Sequence, residues 1–271
     1  MEKNQSAIRN GVLEGFDNIA LIQPDLPEFQ FMNYGFADLG VKKISKITET
    51  CENLYKQTLS NKPLEGKDIL EVSCGRGGGA AWCIRTFKPR FYVGVDISPN
   101  AIALCQQKHA ELPGSAFVVS NATKILPFTN ESFDFVLSVE ATHAYMSAEN
   151  INRFAREAAR ILRPNGCLLW CDLCSKGEDI PSINCFTDTG EFIVKDKVDI
   201  TKNVLQSLDI RSEEAERVIK HVIAPENSEA FRTFSGLPGT AIYEDMREEC
   251  TVYWRAVFRK KPNPTIANGT N

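Results

Sequence analysis

The sequence predicts an α/β fold, a mostly parallel sheet with helices on both faces. Three observations carry this. Between residues 68 and 173 short apolar runs alternate with helix-compatible stretches in four successive strand–helix units, the signature of parallel strands joined by crossover helices. The first run, Ile69-Leu70-Glu71-Val72, enters the glycine-dense turn Ser73-Cys74-Gly75-Arg76-Gly77-Gly78-Gly79. The second, Phe91 to Val95, ends on Asp96. Glycines let a backbone take positive φ and approach a ligand closely, and the helix start after the turn presents free N–H groups. An acid at the tip of the next strand is placed to accept hydrogen bonds from a ribose.

Each element follows from local pattern. Pro24 and Pro27 break any long helix near the N-terminus, and an aromatic cluster (Phe29, Phe31, Tyr34, Phe36) surrounds the turn Asn33-Tyr34-Gly35. Residues 41–59 space Val41, Ile44, Ile47, Cys51, Leu54 and Tyr55 as one face of an amphipathic helix. Strands are expected at Asp68–Val72, Phe91–Val95, Ala116–Val119, Phe133–Val139 and Cys167–Leu173. Ser98-Pro99 opens a helix to Lys108, with proline at its first position. Ser147 caps a helix burying Ile151, Phe154, Ala158, Ile161 and Leu162, and Pro164-Asn165-Gly166 ends it.

The second half changes character. A strand at Phe192–Val198 leads through Asp199-Ile200-Thr201 into a short helix to Leu208. A further helix starts at Ser212, with Glu213 and Glu214 in its first turn, and another stretch runs from Pro225 to Phe234. Thr251–Arg259 alternates as a last strand of the sheet. The expected organisation is a helical cap at 1–60, a core at 61–200, a helical lid at 201–245, the last core strand at 246–261 and a flexible tail at 262–271. A lid with an apolar face would exclude water and shape a substrate pocket. Phe186, Phe192, Phe231 and Phe234 are read as lid residues suggesting an apolar acceptor.

Composition excludes several classes. With 43% hydrophobic and 24% charged residues over 271 positions, the chain is an ordinary globular one. A net charge of −4 with scattered basic residues argues against nucleic acid. No run reaches the roughly 18 apolar residues a membrane span needs. Met1 to Asn10 lack an apolar signal core, so a cytoplasmic setting is expected. The N-glycosylation matches, Asn121-Ala-Thr, Asn130-Glu-Ser and Asn268-Gly-Thr, then read as chance. Nine irregularly spaced cysteines fit reduced, mostly buried thiols, and Cys171-Asp-Leu-Cys174 lacks a second pair at zinc spacing, so no metal is expected.

In order and spacing the blocks Glu71-Val72-Ser73-Cys74-Gly75-Arg76-Gly77, Gly94-Val95-Asp96-Ile97-Ser98, Asn121-Ala122, Leu126-Pro127-Phe128 with Ser132-Phe133-Asp134, and Ala159 to Gly166 resemble the class I S-adenosylmethionine-dependent methyltransferases. The Ser73–Gly79 turn, Val139-Glu140-Ala141-Thr142-His143, Asp199-Ile200-Thr201 with Asn203-Val204-Leu205, and Gly236-Leu237-Pro238-Gly239-Thr240-Ala241-Ile242-Tyr243 resemble, more narrowly, the phthiotriol/phenolphthiotriol dimycocerosates methyltransferase family, which O-methylates lipid or polyketide alcohols. The resemblance implies a Rossmann-like, seven-stranded, mostly parallel sheet and S-adenosyl-L-methionine as cofactor. It implies that Gly75 and Gly77 pass close to the methionine portion, with Ser73 and Glu71 supporting the turn and Glu71 neutralising the cofactor's amino group directly or through water. Asp96 would grip the ribose hydroxyls, Ile97 would pack on adenine, and Asn121-Ala122 would meet the adenine amino group through the amide oxygen, where the family usually has Asp-Ala. Tyr34 would close over the cofactor, and Glu140 joins the same set.

Methyl transfer to an alcohol benefits from a general base. His143 directly follows the fourth strand, at the carboxyl-end rim where open parallel sheets bind ligands, and Asp172 ends the neighbouring strand. Related O-methyltransferases pair a histidine and an aspartate at these two ends. O-methylation of a small-molecule or lipid-like acceptor is the expectation, with a homodimer compatible with it. N-methylation of an ethanolamine-type head group and C-methylation of a sterol stay open. A nicotinamide dehydrogenase would need a group such as Tyr-x-x-x-Lys, and no tyrosine has lysine four residues on. Intact Glu71, Gly75, Gly77 and Asp96 weigh against a non-catalytic binding module.

Overall fold

The computed structural model describes residues 29–177 and 183–262. The stretch 1–28, including Pro24 and Pro27, and the tail beyond 262 lie outside the described residues. In chain order the elements are α1 (Thr48–Leu59), β1 (Asp68–Val72), α2 (Gly78–Phe87), β2 (Phe91–Asp96), α3 (Pro99–Lys108), β3 (Ser115–Val119) and β4 (Phe133–Val139). A 3₁₀ turn (Thr142–Tyr145) precedes α4 (Ala148–Ile161), β5 (Leu162–Ser175), α5 (Ile183–Thr187) and β6 (Phe192–Asp199). Then come α6 (Thr201–Val222), α7 (Ser228–Phe234), α8 (Ala241–Arg247) and β7 (Thr251–Lys260).

Seven strands form one sheet in the order β3-β2-β1-β4-β5-β7-β6. The first five are parallel, while β7 runs antiparallel to both β5 and β6. The chain steps from β1 to β2 on one side and to β4 on the other, which opens a crevice at the carboxyl ends of these strands. Every residue of β1 is buried, as a central parallel strand covered on both faces must be. One face packs Ile69, Tyr92, Leu137, Leu169 and Val257 against Leu54, Ile84 and Val204 of the helices. The other packs Leu70, Val136, Leu168 and Trp170 against Ile151, Phe154 and Ala158 of α4.

Local chemistry sets the helix starts. Ser98 Oγ accepts from Ala101 N at 3.0 Å to cap α3, and Ser147 Oγ accepts from Asn150 N at 3.2 Å to cap α4. At the amino-terminal edge of the sheet, Asp68 binds both Arg90 and Arg163, and Arg163 also reaches Asp134 at 2.9 Å.

Several expectations need correction. The helix expected over 41–59 begins at Thr48, and Val41 is exposed. The two helices expected after Thr201 are one continuous helix, α6. Ser212 turns its hydroxyl back to Asp209 O at 2.8 Å instead of capping a new start. Strand β5 begins at Leu162, five residues earlier than expected, because Leu162 pairs with Phe133 ahead of an irregularity at Arg163–Gly166. Phe186 and Phe192 are fully buried beside Trp170 and Phe258, so they are core and not lid. Phe231 packs on Phe29 beside Ile219, Ile223 and Leu237. Eight of the nine cysteines are buried and all nine are free thiols; Cys250 is exposed. Among the described residues no helix is long and apolar enough to cross a membrane, and no metal-ligand cluster occurs.

Candidate active site

A cleft of ≈ 830 Å³ opens at the carboxyl ends of β1, β2, β3 and β4. Asp96 ends β2, and its carboxylate is fixed from two sides. Gly75 N donates to Oδ2 and Ser98 N to Oδ1, both at 2.9 Å. Ser73, Gly75, Asp96, Ile97, Asn121, Ala122 and Glu140 all form the cleft wall. Gly77 stands just behind it, with φ +74, and a Cβ there would meet His109 Cδ2 at 2.8 Å. Gly79 is under tighter constraint: a Cβ would lie 1.9 Å from the Tyr55 ring. The glycines thus serve close packing of helix α2 as well as approach to a ligand.

Glu71 does not reach the wall. It is 1% exposed, and its two oxygens accept from Tyr55 OH at 2.6 Å and Tyr92 OH at 2.9 Å. Burial pushes its carboxyl up to about 7, against the lowering pull of the two tyrosine hydrogen bonds. Tyr55 is the residue of this trio that lines the cleft. Glu71 braces β1, β2 and α1 from inside, and of the direct or water-borne contact expected with a cofactor amine this burial is at odds with the direct one.

Asn121 also departs from expectation. Its Oδ1 already accepts from Thr123 N at 2.9 Å and Thr123 Oγ1 at 2.8 Å. With both lone pairs engaged, the NH2 is the group suited to face a ligand.

The N-terminal strap Gln30–Asn33 lines the opposite wall. Tyr34 is not on the wall, and its backbone N–H donates to Glu140 Oε1 at 2.7 Å. The same oxygen accepts from Tyr253 OH at 2.6 Å. Burial raises Glu140 to about 7, with Asp172 adding to the rise, while the Tyr253 and Tyr34 hydrogen bonds and His143 oppose it. Helix α6 holds the strap from outside. Arg211 donates to Asn33 O at 3.2 Å and Tyr34 O at 2.9 Å, and Ser207 Oγ donates to Tyr34 O at 2.9 Å. Only tertiary structure reveals these clamps.

His143 and Asp172 meet just past the end of β4, where β5 continues to Ser175 alongside β7. His143 Nδ1 lies 2.8 Å from Asp172 Oδ1. Thr142 N and Thr142 Oγ1 donate to Oδ2 at 2.6 and 2.7 Å, and His143 N does so at 3.1 Å. Trp170 Nε1 in turn donates to Thr142 Oγ1 at 2.9 Å. Asp172 is fully buried, whereas the His143 side chain keeps 33% exposure. Burial disfavours the imidazolium, but the charge and hydrogen bond of Asp172, helped by Glu140, outweigh it and raise the His143 pKa. His143 does not line the cleft itself; its neighbours Glu140, Ala141, Ala144 and Tyr145 do. Tyr145 OH lies 3.3 Å from Ser73 Oγ, which links this rim to the glycine turn.

The fold and this cleft define a nucleotide-cofactor α/β enzyme architecture, and comparison with known proteins narrows it. Residues 70–170 match the family model described as "Methyltransferase domain". The chain is 34% identical over 218 residues, 79% of its length and 82% of the other, to a probable phthiotriol/phenolphthiotriol dimycocerosates methyltransferase 2 of Mycobacterium ulcerans. It is 30% identical to a fatty-acid O-methyltransferase of Mycolicibacterium smegmatis, covering 85% of this chain and 83% of that one. A phthiotriol/phenolphthiotriol dimycocerosates methyltransferase of Mycobacterium leprae is 42% identical, but there the match spans about half of each protein, 54%. Among solved structures, a putative sarcosine dimethylglycine methyltransferase from Galdieria sulphuraria shares the fold, with TM-score 0.71, 16% identity, and coverage of 84% of this chain and 93% of that one. The chain belongs to the class I S-adenosylmethionine-dependent methyltransferase family.

Proposed function

We propose that this chain transfers a methyl group from S-adenosylmethionine to a hydroxyl of an apolar, lipid-like acceptor, with His143 as general base and Asp172 orienting it. The observation that carries this reading is the 2.8 Å contact between His143 Nδ1 and Asp172 Oδ1, made just past the end of β4 beside residues that line the Asp96 cleft. The relatives' names, a fatty-acid O-methyltransferase and phthiotriol methyltransferases, support a lipid-related acceptor.

The residues present fit the cofactor. A carboxylate pinned by two backbone amides suits a ribose diol, Ile97 and Ala122 offer apolar contact, and ≈ 830 Å³ accommodates an adenosyl amino acid. When bound, the cofactor supplies an electrophilic methyl on a sulfonium. The protein's own part is alignment and proton removal. With Nδ1–H directed at Asp172, the free Nε2 of neutral His143 takes the acceptor's hydroxyl proton. The negative Asp172 stabilises the imidazolium that results, an assistance worth about 10² to 10⁴ in rate. Helix α6, clamping the strap through Arg211 and Ser207, acts as the lid.

The test is a methyl-labelling assay with long-chain alcohols and fatty acids on wild type and His143→Ala. Alcohol methylation that falls at least tenfold in the variant, with cofactor affinity by titration calorimetry unchanged, supports the reading. Equal turnover by both proteins removes the base assignment. Labelling of fatty acids alone would replace the alcohol with a carboxylate acceptor, which needs no base.

A further inference from the structure

A second cleft, ≈ 710 Å³, opens between the end of β5, the edge pair β6–β7 and the start of α6. It shares no residue with the cofactor cleft. Among the described residues its lining carries four cations (Lys176, Lys197, Lys202 and Arg247) against two carboxylates, Asp199 and Glu249. In a chain of net charge −4 this is a local excess of positive charge.

The pairing within the lining is uneven. Lys176 is 3.2 Å from Glu249, and Arg247 is 2.5 Å from Glu244. Asp199 Oδ1 accepts from Thr201 N at 2.9 Å and Thr201 Oγ1 at 2.6 Å. Among the described residues no carboxylate lies within ion-pair distance of Lys197 or Lys202. Instead, Lys197 Nζ is held 4.1 Å from the centroid of the Trp254 ring. Lys202 lies in the first turn of the 22-residue helix α6, whose positive dipole end adds to the same field. Beside these cations the cleft has apolar walls from Leu205, Met246, Val252 and Trp254.

A cationic mouth on an apolar wall matches one ligand chemistry, an anionic head on an alkyl chain. We propose that this cleft binds an anionic amphiphile, with Lys197 and Lys202 holding the carboxylate or phosphate head and the Leu205, Val252 and Trp254 wall taking the chain. The site goes beyond the methyl-transfer reading and stands without it.

Titration calorimetry on the full chain tests this, using decanoate, decyl phosphate, decanol and inorganic phosphate as probes. Wild type is expected to bind decanoate or decyl phosphate saturably, and at least tenfold more tightly than decanol or inorganic phosphate. The preferred head identifies which anion the cleft takes. The double variant Lys197→Ala/Lys202→Ala should lose at least tenfold of that affinity, while Lys56→Ala/Lys220→Ala, on exposed lysines outside the lining, should lose none. Affinity for S-adenosylmethionine, measured alongside, should match wild type in both variants, so failure here is separate from failure of the cofactor reading. Equal decanoate and decyl phosphate binding by wild type and Lys197→Ala/Lys202→Ala overturns the proposal. So does decanol binding as tightly as the anions, or inorganic phosphate binding as tightly as decyl phosphate.

Discussion

Asp172 Oδ1 lies 2.8 Å from His143 Nδ1, and the same carboxylate accepts from the backbone amides of Thr142, His143 and Leu173. The aspartate therefore fixes both the imidazole and the 3₁₀ turn that carries it. Asp172→Asn removes the charge and leaves the buried amide NH2 facing donors. Such mismatches cost about 1–3 kcal/mol. Thermal unfolding should fall accordingly, and turnover should fall by at least tenfold. Unchanged turnover would show that the imidazole needs no partner.

The His143 pKa is raised above its ordinary value near 6.5. A base acts in its neutral form, so turnover should rise with pH and reach half its plateau above about 6.5. The stability that His143 gains from its partner runs the other way. It is fully present below the unfolded value and lost as pH climbs through the folded one. The pH–rate profile of Asp172→Asn should place the midpoint lower than in wild type, since the charge that raises the His143 pKa is gone.

Glu71 is held up to about 7 chiefly by burial. A raised carboxyl stabilises the fold below its unfolded value near 4.5, and that contribution disappears as pH rises to about 7. For a shift of this size the loss is roughly 3 kcal/mol, and Glu140 titrates over the same window. Glu71→Gln should flatten the fall of the urea midpoint between pH 4.5 and 7. A slope identical to wild type would mean that Glu71 is not the group responsible.

Gly79→Ala would bring a methyl 1.9 Å from the Tyr55 ring. Overpacking of this kind typically costs about 1–3 kcal/mol. Tyr55 also donates to Glu71, so it cannot swing aside freely. The melting temperature should drop by several degrees, and adding Tyr55→Leu should recover part of it. Additive losses in the double variant would argue against a direct clash.

Arg211→Ala severs two hydrogen bonds from α6 to the strap at Asn33 and Tyr34. The cofactor dissociation constant should rise severalfold, with kcat changed less. Limited proteolysis should cut near residue 33 more readily in the variant. Identical affinity and identical cleavage would show that the strap holds without the Arg211 clamp.

The five parallel strands were legible because each is an apolar run between strong punctuation, even β3, of which only Phe117 is buried, and Asp96 and His143 were legible at or just past strand ends, whereas β5 runs three residues beyond Asp172. Other features were hidden for physical reasons. Val41 and Ile44 continue the helical spacing of α1, yet Val41 stays exposed and the helix starts only at Thr48. Asp209 and Ser212 resemble a helix break, but Ser212 bonds backward to Asp209 O, and Tyr243 donates to Asp209 Oδ1 at 2.6 Å, leaving α6 intact. The short helix α5 has only five residues, too few for a periodic signal. Arg211 and Tyr253 reach the strap and Glu140 from positions more than a hundred residues away, a relationship no local pattern encodes.

Strand order has a further consequence for how this protein can change. Because β1 stands between β2 and β4, Asp96 lies to one side of it and the His143–Asp172 pair to the other. Substitutions along β5 and the helices beyond it therefore fall away from the amides of Gly75 and Ser98 that fix Asp96. The division is not clean, because Tyr34 ties the strap of the first half to Glu140 and to Arg211 of the second, so an exchanged second half would have to bring partners for those contacts with it.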